Sequence, residues 1–313
     1  KQFIYELRET GIDLRFFAPL LSWQSIYLGR RMHHKIAVAD KGTALIGGIN
    51  IADKYAGTAT ETAWLDYAIL LEGSVCEELD MVCRNMYGIR NRLTRLKIQQ
   101  FLKSQLQTVN ESAGITFVKI KQNDRLKGKN QISRSYIRAI RNARHSIYIT
   151  GSYFLPGIKL RKALIAASKR GVEINLILTG VSDVPLFQSA TTWLYDLLLR
   201  NEIKIYEWKK SVLHGKVAIV DGNWATIGSF NLNHLSAYGS IELNIDVTDD
   251  KFIEDFKKQL NFAIETGCEQ VLPERQNNRW AARLKRWLAY QLTRSSIKLM
   301  VVFPYNNPFK KFE

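Results

Sequence analysis

Apolar residues in the second half of the chain gather in short continuous runs separated by amphipathic stretches. SIYITGSYFL (146–155) and VEINLILTG (172–180) read as buried strands, because β-branched and aromatic runs of this length suit a sheet covered on both faces. Helical spacing extends from about Lys159 to Arg170, with Gly171 as its stop signal, and returns near 187–200. IKIYEW (203–208) and KVAIVD (216–221) are further strands. Strands alternating with helices predict crossover connections and an α/β fold, with mixed sheets flanked by helices.

The first half echoes only the end of this order. YELRETGIDLRFF (5–17) matches YDLLLRNEIKIYEW (195–208) as a helix followed by a strand. Aligning Asp13 with Glu202 leaves the first unit roughly 58 residues short of its equivalent. A half-sheet without its first strands would leave unpaired edges. The expected architecture is therefore two pseudo-symmetric αβ sandwich units, the first truncated at its N-terminus. The expected divisions are a first unit over 1–94, a connecting segment over 95–131, a second unit over 132–262 and a tail over 263–313. A basic helical stretch (about 84–107) and a strand ITFVKIK (115–121) fall between the units.

The tail has its own pattern. From Arg275 to Lys298 every formal charge is basic, while Trp280, Leu284, Trp287, Leu288 and Leu292 recur at helical spacing. Tryptophans opposite a cationic face suit a helix lying in a membrane interface. A helix capping the domain would show similar amphipathicity.

One pattern occurs twice: His-x-Lys-x4-Asp-x6-Gly-x-x-Asn. It is His33, Lys35, Asp40, Gly47 and Asn50 in the first unit, and His214, Lys216, Asp221, Gly228 and Asn231 in the second. Five fixed identities match by chance on the order of one time in ten million per start position. Side chains two apart on a strand share a face, so His33 joins Lys35 and His214 joins Lys216, with His34 and Gly215 turned away. Asp40 and Asp221 complete the motif set, but their odd spacing suits bracing of a turn better than contact with substrate. Gly48 and Ser229 lie in the loops that bring Asn50 and Asn231, amide donors suited to phosphate oxygens.

Each copy is half a site. Two copies about a pseudo-twofold axis would set His33 and His214 across one phosphodiester. One imidazole then attacks phosphorus while the other protonates the leaving oxygen and later deprotonates the acceptor. Lys35, Lys216, Asn50 and Asn231 would hold the equatorial oxygens. Such a histidine has its other ring nitrogen held by a carboxylate. Asp66 and Glu242, on the strands after the two motifs, are the candidates, although strand carboxylates more commonly face water.

Composition narrows the partners. The 313 residues carry a formal net charge of +16, which favours anionic membranes or nucleic acid. Three cysteines without a CxxC suggest neither a disulfide framework nor zinc. No His/Asp/Glu cluster has ligand spacing, so neither metal nor cofactor is expected. No apolar run approaches the roughly 20 residues of a spanning helix.

The paired motifs resemble the HKD motifs of the phospholipase D superfamily over nearly the whole chain. YFLPGIKLRKALIAASKRGVEINLIL, LHGKVAIVD, WATIGSFNLNHLSAYGSIELNI and GGINIADKY followed by WLDYAILLEG are similar to bacterial cardiolipin synthases, especially the short type without N-terminal membrane spans. The resemblance implies a metal-independent phosphatidyltransferase working through a phosphatidyl-histidine. It casts His33 as nucleophile and His214 as acid/base, with Asp66 and Glu242 as histidine-orienting carboxylates. It also implies phosphatidylglycerol as substrate and a peripheral place on the bacterial cell membrane, on the cytoplasmic side. Gly48 departs from the serine of many relatives, and Asn233-His234 from a frequent Asp-Pro. A phospholipase D using water is the nearest alternative. A nuclease is a further one, although no aromatic-basic interleaving for stacking bases lies near either motif. A non-catalytic binding module fits poorly with two intact motifs.

Overall fold

All five residues of KVAIV (216–220) and all but the last of SIELNIDVT (240–248) are buried, as central strands require. These segments organise the structure, a computed structural model that describes residues 2–17, 21–22, 25–26, 31–88, 116–273 and 280–302.

The first unit comprises α1 (Gln2–Glu9), β1 (Leu21–Ser22), β2 (Ser25–Ile26), β3 (Arg31–Met32), β4 (Ile36–Ala39), β5 (Thr43–Gly47), α2 (Asp53–Ala56), β6 (Ala68–Glu72) and α3 (Val75–Tyr87). The second opens with β7 (Phe117–Asp124), β8 (Lys129–Asn130), α4 (Gln131–Asn142), β9 (Ser146–Gly151), α5 (Ile158–Ser168) and β10 (Glu173–Val181). It continues through α6 (Pro185–Thr192), α7 (Tyr195–Leu199), β11 (Lys204–Val212), β12 (Lys216–Val220) and β13 (Trp224–Gly228). It closes with α8 (His234–Tyr238), β14 (Ser240–Thr248), α9 (Asp250–Gly267) and β15 (Cys268–Gln270), after which comes α10 (Trp280–Val302).

The large sheet runs β15-β11-β10-β9-β12-β13-β14-β7-β8, with β3 added beside β14. Strands β9, β10 and β11 are parallel neighbours, whereas β12, β13, β14 and β7 pair antiparallel, so the sheet is mixed. The first unit forms the antiparallel sheet β4-β5-β6.

Alternation along β12 gives the large sheet two faces. Ala218 and Val220 pack with Ile132, Tyr136 and Ile140 of α4 and Leu164 of α5. Val217 and Ile219 join Ala44, Ile46, Ile69 and Leu71 of the smaller sheet in a second apolar layer. Each Val, Leu or Ile side chain among them contributes roughly 1.5–3 kcal/mol when fully buried. The two units are thus held sheet against sheet by one core.

Several expectations need amendment. The strand expected at 115–121 pairs with β14 from Phe117 to Asn123, so it belongs to the large sheet rather than to a connector. No strand forms over 12–17; its counterpart β11 is a strand because β10 lies beside it. The helix near 187–200 breaks into α6 and α7, where the Thr191 and Thr192 hydroxyls donate back to Phe187 O and Ser189 O. Most of the basic stretch at 84–107 lies outside the described residues. The tail helix does cap the domain: α10 packs on α6 and α8, burying Ala289, Tyr290, Thr293 and Ile297 at helical spacing. The residues singled out from the sequence, Trp280, Leu284, Trp287, Leu288 and Leu292, are all exposed instead.

Candidate active site

Each motif begins just before one strand and ends past the hairpin that follows. The turns take left-handed backbone, with φ of 49° at Asp40 and 58° at Lys41, and 53° at Asp221 and 72° at Gly222. Aspartate tolerates that region better than most residues. The Asp221 carboxylate accepts backbone N–H bonds from Arg144, His145 and Ser146 at 2.7, 2.8 and 3.0 Å. It lies at the opposite end of β12 from His214. Asp40 holds the matching place in the exposed β4–β5 turn. The motif aspartates therefore stand in turns apart from the histidines, and at Asp221 the three backbone bonds fit the bracing role.

Strand exchange between the units brings the histidines to their carboxylates. His33 N–H donates to Ile241 O at 3.0 Å, continuing the parallel pairing of β3 with β14. His214 N–H donates to Leu65 O at 2.7 Å, beside the parallel bridge of Leu65 with Leu213. Each histidine is thus laid against the strand that follows the other motif. His33 Nδ1 sits 2.9 Å from Glu242 Oε2, and His214 Nδ1 sits 2.7 Å from Asp66 Oδ2. The carboxylates are those expected, but they pair crosswise and are buried rather than facing water: side-chain exposure is 0% for Glu242 and 1% for Asp66.

The partners fix the tautomers. His33 Nδ1 also approaches Ser229 O at 3.0 Å; both neighbours are acceptors, so Nδ1 carries the proton. At His214 the carboxylate is the shortest contact, and Nδ1–H donates to it. The Tyr55 hydroxyl and the Lys216 ammonium, at 3.1 and 3.0 Å, then flank that nitrogen without sharing its lone pair. With Nδ1 protonated, the neutral form of each ring carries its lone pair on Nε2, where a nucleophile or a proton acceptor needs it.

The lysines repeat one geometry. Lys35 Nζ donates to His33 O at 2.9 Å, and Lys216 Nζ donates to His214 O. Burial drives Lys216 down to about 8, with Asp66 opposing and Lys35 adding to the fall. Burial also lowers Lys35, against the pull of Glu242 and Asp66. Each lysine feels carboxylates of both units, so the two copies form one electrostatic centre. Burial lowers His214 below the usual imidazole value, with Asp66 opposing. His34, turned the other way, is held by burial at about 4 and stays neutral.

The loops differ between copies. Ser229 Oγ donates to Glu242 Oε2 at 2.5 Å. At Gly48 a Cβ would lie 2.4 Å from Asp66 Oδ1, so the first copy has no room for that serine. Asn50 Nδ2 donates to Tyr55 Oη at 2.7 Å, and Asn231 Oδ1 accepts from Ser152 Oγ at 3.0 Å. An aromatic wall missed by sequence reasoning surrounds His214: Tyr55, Trp64 and Tyr153 have ring centroids at 5.5, 5.8 and 6.2 Å. Tyr153 Oη donates to Asp183. Only the nearness of Tyr55 and Trp64 to the first motif could have signalled them. Among the described residues no group of three or more His, Cys, Asp or Glu side chains could hold a metal ion.

Paired imidazoles, paired ammoniums and crossed carboxylates on this two-sheet frame define a phosphodiester-transfer enzyme of the phospholipase D type. The family described as "Cardiolipin synthase, PLD-like domain" matches residues 136–263. The chain is 32% identical to cardiolipin synthase B of Escherichia coli K12 over 314 residues, covering 98% of this chain and 74% of that protein. It is 29% identical to a cardiolipin synthase of Geobacillus thermodenitrificans, over 82% of this chain and 52% of that one. The fold is similar to that of phosphatidylserine synthase from Haemophilus influenzae, with a TM-score of 0.67, 15% identity, and coverage of 96% and 77% of the two chains. The chain belongs to the cardiolipin synthase family of the phospholipase D superfamily and is a phosphatidyltransferase of that type.

Proposed function

We propose that the enzyme transfers a phosphatidyl group from one phosphatidylglycerol to another, forming cardiolipin and releasing glycerol. The observation that carries this reading is the crossed pairing of His33 with Glu242 and His214 with Asp66, which engages Nδ1 of each ring and leaves Nε2 to attack phosphorus or to carry a proton. His33 Nε2 attacks phosphorus and forms a P–N bond as the P–O bond to the leaving glycerol breaks. His214 supplies the proton to that oxygen, then removes one from the hydroxyl of the second lipid, whose oxygen displaces His33. The arriving phosphodiester anion favours protonated His214, offsetting its burial. Lys35, Lys216, Asn50 and Asn231 hold the equatorial oxygens as charge redistributes.

The exposed Trp280, Trp287, Leu288 and Leu292 of α10, amid basic residues, support a peripheral seat on an anionic bilayer. No helix among the described residues is long and apolar enough to cross a membrane.

The test is conversion of labelled phosphatidylglycerol in vesicles by the wild-type protein and by His33→Ala. Cardiolipin formed by the wild type alone supports the reading. Phosphatidic acid as the sole product would make water the acceptor, and equal turnover by both proteins would remove His33 from the chemistry.

A further inference from the structure

Two cavities meet at His234, and neither is lined by a motif residue. The larger has a volume of about 470 Å³, the size of a small-ligand pocket, and is walled by Arg125, Lys129, Asn130, Tyr238 and Lys298. The smaller narrows between Arg161, Arg294 and Tyr290. Five cationic side chains therefore converge on His234, and the walls of both cavities contain no aspartate or glutamate.

Lys129 acts on Glu78, but the other four like charges gathered in one cleft raise the free energy of a fold unless an anion joins them. Among the described residues Arg125, Arg161, Arg294 and Lys298 take part in no ion pair. Arg161 Nε is shut off from solvent and has no hydrogen-bond partner there. The floor is flat and aromatic: the rings of His234 and Tyr238 stack at 5.5 Å with a 23° interplanar angle, and the Arg125 guanidinium lies 5.9 Å from the Tyr238 centroid. Burial and the charges of Arg294, Lys298 and Arg161 all lower His234 and favour its neutral form.

We propose that this cleft, between α8, α10 and the 125–130 turn, is a second phosphate-binding site, separate from the catalytic histidines. Guanidinium forks match phosphate oxygens two at a time, and Lys298 adds a point charge. A phosphate ester fits the larger volume with a glycerol-sized substituent attached. Leu292 and Leu299, on either side of Lys298 in the sequence of α10, are exposed, and apolar side chains beside the cleft would suit the acyl chains of a lipid. A lipid headgroup and a free phosphate ester present the same chemistry to the cleft. The inference does not rest on the identity of the transferase product.

The experiment is calorimetric titration of the whole protein with inorganic phosphate, paired with flotation on phosphatidylcholine vesicles with and without phosphatidylglycerol. The variants are Arg294→Gln/Lys298→Gln on one wall and, separately, Arg125→Gln on the other; thermal unfolding checks that each stays folded. The wild type is expected to bind two phosphates. Each variant is expected to keep one and bind the other about tenfold more weakly. Loss of phosphatidylglycerol-dependent flotation in the same variants identifies the ligand as a lipid headgroup. Unchanged flotation with weakened phosphate binding identifies a soluble phosphate ester. One phosphate per wild-type chain, or two in a folded variant at unaltered affinity, overturns the proposal.

Discussion

Glu242 is wholly buried, and it accepts the ring proton of His33, a residue of the other unit 209 positions earlier in the chain. The interaction fixes the tautomer of the proposed nucleophile. Glu242→Gln removes the charge that holds Nδ1–H and is expected to lower turnover by a factor on the order of 10²–10⁴. The crossed pairing separates the two roles. A phosphatidyl ester with a nitrophenol leaving group needs no proton donor. On that substrate Asp66→Asn and His214→Ala should recover adduct formation, whereas Glu242→Gln and His33→Ala should not. Recovery in the opposite pair would exchange the two histidines' roles.

Lys216 gives the enzyme an alkaline limit. Its ammonium titrates at about 8 against an ordinary value of 10.5. Between these values the unfolded chain binds the proton more tightly, so this group's contribution to stability rises with pH across that window. Phosphate binding needs the charged form and weakens over the same range. The pH profile of kcat/KM should therefore fall above about 8, and Lys216→Arg should move that limb to higher pH. An unmoved limb would assign it to another group.

The loop asymmetry makes a steric prediction. Gly48→Ser must push Asp66 away from His214, since the added Cβ would stand 2.4 Å from Oδ1. Turnover should drop at least about tenfold, as expected when a second partner of a reactive histidine is displaced. Ser229→Ala should instead destabilise the fold by roughly 1–3 kcal/mol, because Glu242 loses a buried donor. Wild-type rates in Gly48→Ser would contradict the geometry.

Asp221 should behave as a brace. Asp221→Ala strands three backbone N–H groups, and thermal unfolding should report a loss of roughly 1–3 kcal/mol. Turnover by the folded fraction should stay within about threefold, in contrast with Lys216→Met. A large fall in kcat without a fall in stability would return this aspartate to the chemistry.

The exposed row on α10 can be tested without disturbing the core. Trp287 and Leu288 lie on the exposed side, whereas Tyr290 and Ile297 face the domain. Trp287→Ser/Leu288→Ser should weaken flotation on anionic vesicles several-fold while leaving the melting temperature unchanged. Flotation equal to the wild type would place membrane contact elsewhere.

Much of this is legible in the sequence. The β-branched runs around Ile147, Leu176 and Val217 gave strands in the right places, because continuous apolar runs have one stable home in a sheet covered on both sides. The motif spacing likewise singled out the histidines and lysines, and the strands expected after the motifs pointed to the two carboxylates, which the structure sets against those histidines. The crossing escaped because it depends on β3 and Leu65 leaving their own unit to pair with β14 and Leu213, a long-range choice with no local signature. Tyr153 and Asp183 escaped for the same reason, since they reach the site only through the register of β9 and β10. At 12–17 local propensity misled, as a strand needs a neighbour that short-range pattern does not reveal.

Crossed carboxylates also bear on how such a chain can diverge. If the two copies arose by duplication, neither could drift alone: damage to Asp66 cripples an imidazole 148 positions away, and damage to Glu242 does the same in reverse. Splitting the copies onto separate polypeptides would yield not two half-strength catalysts but two inert ones, restored only by reassociation.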